Sequence, residues 1–449
     1  MRKHFFILIW LLSLPGIQQA SASDTLTLEQ AIESALQNNP GLIAVEQQMN
    51  SANAQASAAA AGGKPVVSAN YTGRISNNPL DAFAIKLNSR KIQQEDFDPA
   101  TLNDPDVAFL NSFGIAVKLP VYTGGRLEAE IAGAGDAAEA SKYQYERAKI
   151  VTALRTTQAY LAAQTAKRGI AIAEKALHSA QKHARTTRRL YNEDRIVESD
   201  KLTAEVNRAA YQSGLTSARS EYSQAKNTLA MSMGLPGADV EVGHDIDISK
   251  KAYDVNALIA EALKNRRDIK ALRAQLSASK SKVNVAKSEK KPTVSLVAGS
   301  DWYEEDYPSL KNDSQYIMGV VKMDLYNATT QDKITAANLS ANAVEQQIKQ
   351  LEQKTATDVR NALARLDAAR EKYQIARASV ASAERAVPQV NERYGEGRTI
   401  LIDLLQAEQS LVKARQEKLA AVHDWADAEA TLQAATGALK LPAVSVKGQ

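Results

Sequence analysis

From Arg126 to about Leu190 the chain runs without a proline and with only three glycines. Read as one helix, those roughly 65 residues extend about 100 Å. A helix that long cannot be enclosed in a compact domain. It must lie along neighbours, as a coiled coil or as a stave of an α-barrel. Asn192 to Ser199 breaks the pattern, a second helix follows from about Asp200 to Met233, and Gly234-Leu235-Pro236-Gly237 stops it. Upstream, Leu26, Leu28, Ala31, Ile32, Ala35 and Leu36 recur at helical spacing, Pro40 interrupts or restarts that helix, and an Ala-rich run reaches Ala61.

Four short stretches abandon this period for a period of two. Val67, Ala69 and Tyr71 share one face of a first strand, about 65–74. Phe113, Ile115, Val117, Leu119 and Val121 share one face of a second, about 112–122. In the third, about 292–303, Val294, Leu296, Ala298 and Trp302 oppose Thr293, Ser295, Gly299 and Asp301. In the fourth, about 315–326, Ile317, Gly319, Val321, Met323 and Leu325 oppose Tyr316, Lys322, Asp324 and Tyr326. Alternation over about 10 residues with aromatics near the ends suits a tilted bilayer-spanning strand. A soluble hairpin fits the same local pattern. Tyr71, Trp302, Tyr303 and Tyr316 are candidates for an interfacial girdle. The segment 75–111, Pro- and Asp-rich toward its end, reads as a surface loop, and a shorter one spans about 304–315.

The plan occurs twice. Ala35-Leu36-Gln37-Asn38 answers to Ala262-Leu263-Lys264-Asn265 at an offset of 227, and Lys64-Pro65 to Lys291-Pro292 at the same offset. Tyr191, Arg195, Asp200, Leu202 and Glu205 answer to Tyr394, Arg398, Asp403, Leu405 and Glu408 at an offset of 203. The order of elements is kept while one loop shortens, which points to tandem duplication. The expected division is a first repeat over 23–234, a linker over 235–254, a second repeat over 255–437 and a tail over 438–449. Each repeat is helix–strand–loop–strand–long helix–turn–helix. Two repeats supply four strands, fewer than the roughly eight that close a barrel around side chains. Strands crossing a bilayer cannot leave their edges open, so several copies must share one barrel.

Composition narrows the classes. Apolar residues are 44% but aromatics only 5%, with Ala filling most apolar positions, which suits closely spaced helices better than a thick core. There is no cysteine, hence no disulfide, Fe–S cluster, thiol catalysis or acylated N-terminal Cys. Arg2 and Lys3, the apolar run Phe5 to Leu14 and Ala20-Ser21-Ala22 form a cleavable secretory signal over 1–22. The formal charge of +4 includes those two basic residues, so the mature chain is near neutral, and no basic face suggests nucleic acid. No later stretch approaches 18 apolar residues. His178, His183, His244 and His423, like His4 in the signal, are scattered among Lys, Arg and Ala; no metal, cofactor or catalytic constellation is expected. Gly124-Gly125 reads as a strand-to-helix corner and Gly62-Gly63 as a helix stop, neither as a phosphate cradle.

Three segments carry a resemblance over essentially the whole mature chain. They are the opening motif Leu28-Glu29-Gln30-Ala31-Ile32 to Asn38-Asn39-Pro40, the corner Pro120-Val121-Tyr122-Thr123-Gly124-Gly125-Arg126, and the two helix–turn–helix tips. In this order, and duplicated, they resemble the TolC-like outer membrane efflux protein family. The resemblance implies a mixed α/β membrane protein, mainly a long-helix α-barrel with four membrane β-strands per chain, completing a twelve-stranded β-barrel in a homotrimer. It implies residence in the outer-membrane lipid, a helical tunnel projecting into the periplasm, and no enzyme activity. It also implies docking to a periplasmic adaptor and an inner-membrane efflux transporter, in an efflux or type I secretion system. The competing readings are a soluble periplasmic coiled-coil adaptor or scaffold, which leaves the hairpins unexplained, and a secreted enzyme, which lacks a catalytic cluster.

The residues singled out lie at the tips and in the strands. In tip two, Gly397 supplies an unusual backbone conformation, Thr399 caps the next helix, and Ile402 and Leu405 pack inward. Repeated by symmetry, the same tip would narrow a tunnel. A ring of Asp403 carboxylates would attract cations and repel itself, so a closed state needs partners such as Arg398 or Tyr394. In the family this tip is the periplasmic entrance, lined by inner-helix carboxylates. Asp403 matches the first of these, Gln406 stands where some members carry a second, and Arg398 comes one residue early. Tip one, with Asp194, Arg195, Glu198 and Asp200, is the more charged and together with Gly397 is the candidate adaptor contact; an ordinary solvated turn fits as well. Lys118 and Lys322 occupy equivalent strand positions away from the apolar face, where they would line a barrel lumen.

Overall fold

The computed structural model describes residues 25–243, 248, 251–304 and 313–442. The signal 1–22, most of the shorter strand loop, the end of the tail and His244 lie outside the described residues. Helix α1 (Leu28–Asn38) starts at a capping box. Thr27 Oγ1 accepts from the Gln30 amide at 3.2 Å, and Gln30 Oε1 accepts from the Thr27 amide at 2.9 Å. Its apolar stripe Ala31, Ile32, Ala35 and Leu36 is buried. Asn39 then caps α2 (Pro40–Ala61), whose first residue is the proline, so Pro40 starts a helix rather than damaging one. In the second half α7 (Val255–Asn265) and α8 (Arg267–Ser288) meet at Arg266 without a proline. Arg266 is buried and held by Asp268 at 2.7 Å and Asp358 at 3.2 Å, side-chain bonds standing in for the missing ring constraint.

Strands β1 (Val66–Ser76), β2 (Ala108–Tyr122), β3 (Thr293–Glu304) and β4 (Asp313–Lys322) form one antiparallel sheet in the order β1-β2-β3-β4. The third strand thus joins the second across half the chain. The segment 75–111 is more than the expected loop. It contains α3 (Pro79–Asn88), a 3-10 turn (Gln94–Phe97) and α4 (Pro99–Asn103), and β2 begins four residues earlier than its alternation suggested. Asn78 and Asp98 cap the two helices, each followed by a proline in the first turn, and Lys86 pairs with the nearly enclosed Asp96 at 2.7 Å. Conversely β4 ends at Lys322, and Leu325 and Tyr326 are about nine-tenths exposed beyond it.

At the inner end of β2 the chain turns through Gly124 and Gly125, at φ +68° and +86°, into α5 (Arg126–Asn192). A Cβ on Gly124 would come within 2.9 Å of the Lys291 Cβ and 3.1 Å of the Ser288 carbonyl, so conformation and space both demand glycine here. Helices α6 (Glu198–Ser232), α9 (Thr329–Gly395) and α10 (Leu401–Thr436) complete the chain. The two long helices have 67 residues each and their partners 35 and 36. By their lengths α5 and α9 each extend about 100 Å. They pack on their hairpin partners α6 and α10, and α5 also lies on α2, α8 and α10. Ala is the most frequent buried side chain along α5 and α10, which permits this close spacing; larger residues gather at the junctions, as around Leu366, Trp425 and Leu432.

Candidate functional site

Two parts of the molecule set functional candidates side by side: the sheet and the helical tips. The sheet register resolves its faces. Val67, Val117, Ala298 and Ile317 lie in one row, and Tyr71, Phe113 and Trp302 in another of the same face. Phe113 and Trp302 stack at 5.6 Å. This face is apolar and uncovered in the single chain: Val67 is 68% and Ile317 80% exposed. The opposite face carries Ser68, Asn70, Thr72, Ser112, Lys118, Ser295, Asp301 and Lys322. Lys118 sits opposite Val66 and Val297, and Lys322 opposite Thr293. Tyr303 and Tyr316 also stand on this polar side, not with Tyr71 and Trp302. Their backbone partners Ser112 and Gly299 fix the parity, so these two are not girdle residues.

At the tips, α5 and α6 meet through a turn in which Asp194 takes φ +53°; the same place between α9 and α10 is Gly397 at φ +72°. Ala184, Ala204, Leu401 and Leu405 form a small core joining three of the four helices, with Tyr394 of α9 against it. The Tyr394 hydroxyl is enclosed beside Thr187, whose own hydroxyl donates to the His183 carbonyl at 2.8 Å. Burial raises the Tyr394 pKa, Thr187 opposing the rise and the Asp200 carboxylate adding to it. Tyr394 is therefore turned toward tip one. Asp403 is exposed, and the Thr399 hydroxyl donates to its carboxylate. Arg398 pairs with Glu396 at 3.2 Å, so within one chain neither Arg398 nor Tyr394 meets Asp403. Gln406 is exposed one turn further on.

Two local expectations change here. The cap of α10 is Ile400, which offers no side-chain oxygen; Thr399 lies one residue too early and binds Asp403 instead. Leu401, Leu404 and Leu405 form the inward stripe, while Ile402, about 100° round the helix, is exposed. In tip one, Asp194, Arg195 and Glu198 are exposed and Asp200 is half-buried. Arg195 approaches Glu193 at 3.9 Å, and Lys201 bonds Glu198 at 3.1 Å while lying over the Tyr191 ring.

One buried pair was invisible in the sequence. His183 Nε2 of α5 lies 3.0 Å from Glu408 Oε1 of α10, both side chains about nine-tenths buried, tying the two hairpins together. The spacing of 225 residues gives no local signal. Nearer the middle of the chain, Glu241 accepts from Lys226 at 3.0 Å, Tyr222 at 2.9 Å and Lys167 at 3.2 Å. Burial alone would raise the Glu241 pKa, but these donors hold it at about 2. Burial, and then the bond to Glu241, pushes Tyr222 up to about 12. Among the described residues no group of three or more His, Asp or Glu could hold a metal ion, and no helix is long and apolar enough to cross a membrane.

The sequence matches the outer membrane efflux protein family over residues 31–235 and 258–438, and the chain belongs to that family. It is thus an outer-membrane channel protein and not an enzyme. Solved structures share the fold at low sequence identity. The outer membrane protein VceC of Vibrio cholerae aligns with a TM-score of 0.75 at 19% identity, covering 91% of this chain and 96% of that one. The CmeC outer membrane channel of Campylobacter jejuni gives 0.75 at 17% identity, covering 96% and 92%. CusC, described in terms of transmembrane channel formation, gives 0.78 at 19%, covering 91% and 92%. No curated protein matches the sequence.

Proposed function

We propose that three copies of this chain complete a twelve-stranded barrel and form the exit duct of a tripartite efflux or type I secretion system. In this reading an inner-membrane pump and a periplasmic adaptor deliver cargo to the helical tips, and the duct conducts it passively outside. The mature chain is then two duplicated halves, 23–234 and 255–437, joined by the linker 235–254 after loss of the signal. The observation that carries the reading is the sheet: four strands with one bare apolar face and two unpaired edges, β1 and β4. Such a sheet is costly in water and forbidden in lipid unless neighbouring copies pair those edges. A soluble coiled-coil scaffold would have no use for the exposed row from Val67 to Ile317.

Within the duct, Asp403 is the gate residue. Its carboxylate is exposed at the start of the helix that carries tip two and accepts a bond from a neutral hydroxyl, so three copies would present three charges. Gln406 would form a neutral ring one turn on. Arg398 and Tyr394 act indirectly, the first through Glu396 and the second by fixing tip two on tip one. The charged turn Asp194, Arg195, Glu198 and Asp200, with Gly397, is the surface offered to the adaptor, and Lys118 and Lys322 face the barrel lumen.

The test is reconstitution of the purified mature protein in a planar bilayer, with Asp403→Ala beside wild type. Discrete channels whose conductance or cation preference shifts in the variant are expected. Unchanged channels would remove Asp403 from the gate, and a protein that stays soluble without inserting would return the reading to a periplasmic scaffold.

A further inference from the structure

On the polar face of the sheet, Asn70, Gly114 and Asp301 stand in one row across β1, β2 and β3. A Cβ on Gly114 would lie 2.3 Å from Asp301 Oδ1 and 2.6 Å from Asn70 Oδ1. Both side chains therefore lean over the middle strand and occupy the space its missing side chain leaves. Tyr303 stands on the same face, two residues along β3 from Asp301. The neighbouring positions of this face, Ser112, Gly299 and Ser314, are uncharged, and Asp301 is half-exposed.

We propose that Asp301 is the cation-attracting wall charge of the barrel, seated by Asn70 and Gly114. The proposal rests on the duct reading above, in which this face is the lumen and three copies make a ring. A carboxylate lying flat across a glycine places negative charge along the wall without narrowing the passage. The other charges of the face are arranged differently. Lys322 approaches Asp324 at 3.7 Å and Arg74 approaches Asp81 at 3.4 Å, so each carries its own counter-charge. Lys118 stands opposite Val297, four residues along β3 from Asp301. That is about 13 Å at strand spacing, beyond the roughly 10 Å screening length at 0.1 M salt, so the two rings act on ions separately. Asp301 favours cations and Lys118 favours anions at different depths of one lumen.

The experiment is a reversal-potential measurement in a KCl gradient. It uses the full mature chain in planar bilayers and an Asp403→Ala background, so that the tip carboxylate does not dominate selectivity. Asp301→Asn and Asp301→Ser are both made, so that poor insertion of one still leaves a reading. Each should lower the potassium-over-chloride permeability ratio roughly fourfold at 0.1 M salt, with the difference vanishing near 1 M. Lys118→Gln should move the ratio the other way. A ratio unchanged at 0.1 M in the Asp301 variants, with channels otherwise normal, overturns the proposal and leaves the duct standing. Absence of channels in wild type as well as in the Asp403→Ala parent overturns both.

Discussion

The two helical hairpins have nearly the same lengths and a left-handed residue at the same place in the turn, yet they dispose of their charges in opposite ways. In the α5–α6 hairpin, Glu205 pairs with Arg188 at 2.5 Å on the surface, and Asp200 is half-buried near Tyr394. In the α9–α10 hairpin, the counterpart Glu408 is buried against His183, and the counterpart Asp403 is exposed with Thr399 beside it. The two hairpins share a backbone plan and differ in which carboxylate is tied down. The inner junctions differ in the same manner. Lys167, Tyr222 and Lys226 surround Glu241 in the first half, while at the same offset Arg370, Trp425 and Glu429 surround Tyr253 in the second, whose hydroxyl donates to Glu429 at 3.3 Å. A repeat can thus keep its shape while its halves take different duties, because backbone geometry depends on a few turn and packing positions and charge does not.

The largest break in this comparison should come from the paired glutamates. Glu408→Ala strands a buried imidazole and should cost about 1–3 kcal/mol, whereas Glu205→Ala, at a solvent-screened surface pair, should cost far less. Hydrogen exchange of amides around His183 and Arg188 reads both, and equal losses would mean that the buried pair does not couple the hairpins. Next comes the turn. Gly397→Ala places an L side chain at φ +72° and should loosen tip two by about 1 kcal/mol, while Asp194→Gly should tighten tip one by a smaller amount. Trypsin cleavage rates near Arg398 and Arg195 would separate the two, and a slower cut in the Gly397 variant would sink the argument.

The smallest effect is the acid response of the first junction. The Glu241 pKa is lowered on folding, so its contribution is complete above the ordinary carboxylate value and is lost as pH falls toward about 2. Its side chain is half-exposed, and solvent screening keeps the gain modest. Exchange protection of residues 235–243 should fall over that range in wild type and lose the step in Lys226→Met. A step that persisted in the variant would locate the titration elsewhere.

Much of this was legible in the chain because it is local. The long helices follow from the absence of breakers between Arg126 and Leu190, and the apolar strand faces from alternation such as Phe113, Ile115, Val117. What failed to read locally had a distant partner or a one-residue phase. Tyr303, next to Trp302, looked like a girdle residue until its pairing with Ser112 placed it on the polar side. Thr399 looked like a cap although the helix begins one residue later. The helices inside 75–111 hid in a polar composition that resembles a loop.

By itself the sequence determined the periodicities and the breaks, since each is set by neighbours within a few residues and by steric limits on the backbone. Only the tertiary structure decided that β2 pairs with β3, that His183 meets Glu408, and that Asp301 leans over Gly114. Those contacts join residues up to 225 positions apart, and their free energy exists only once the intervening chain has been ordered.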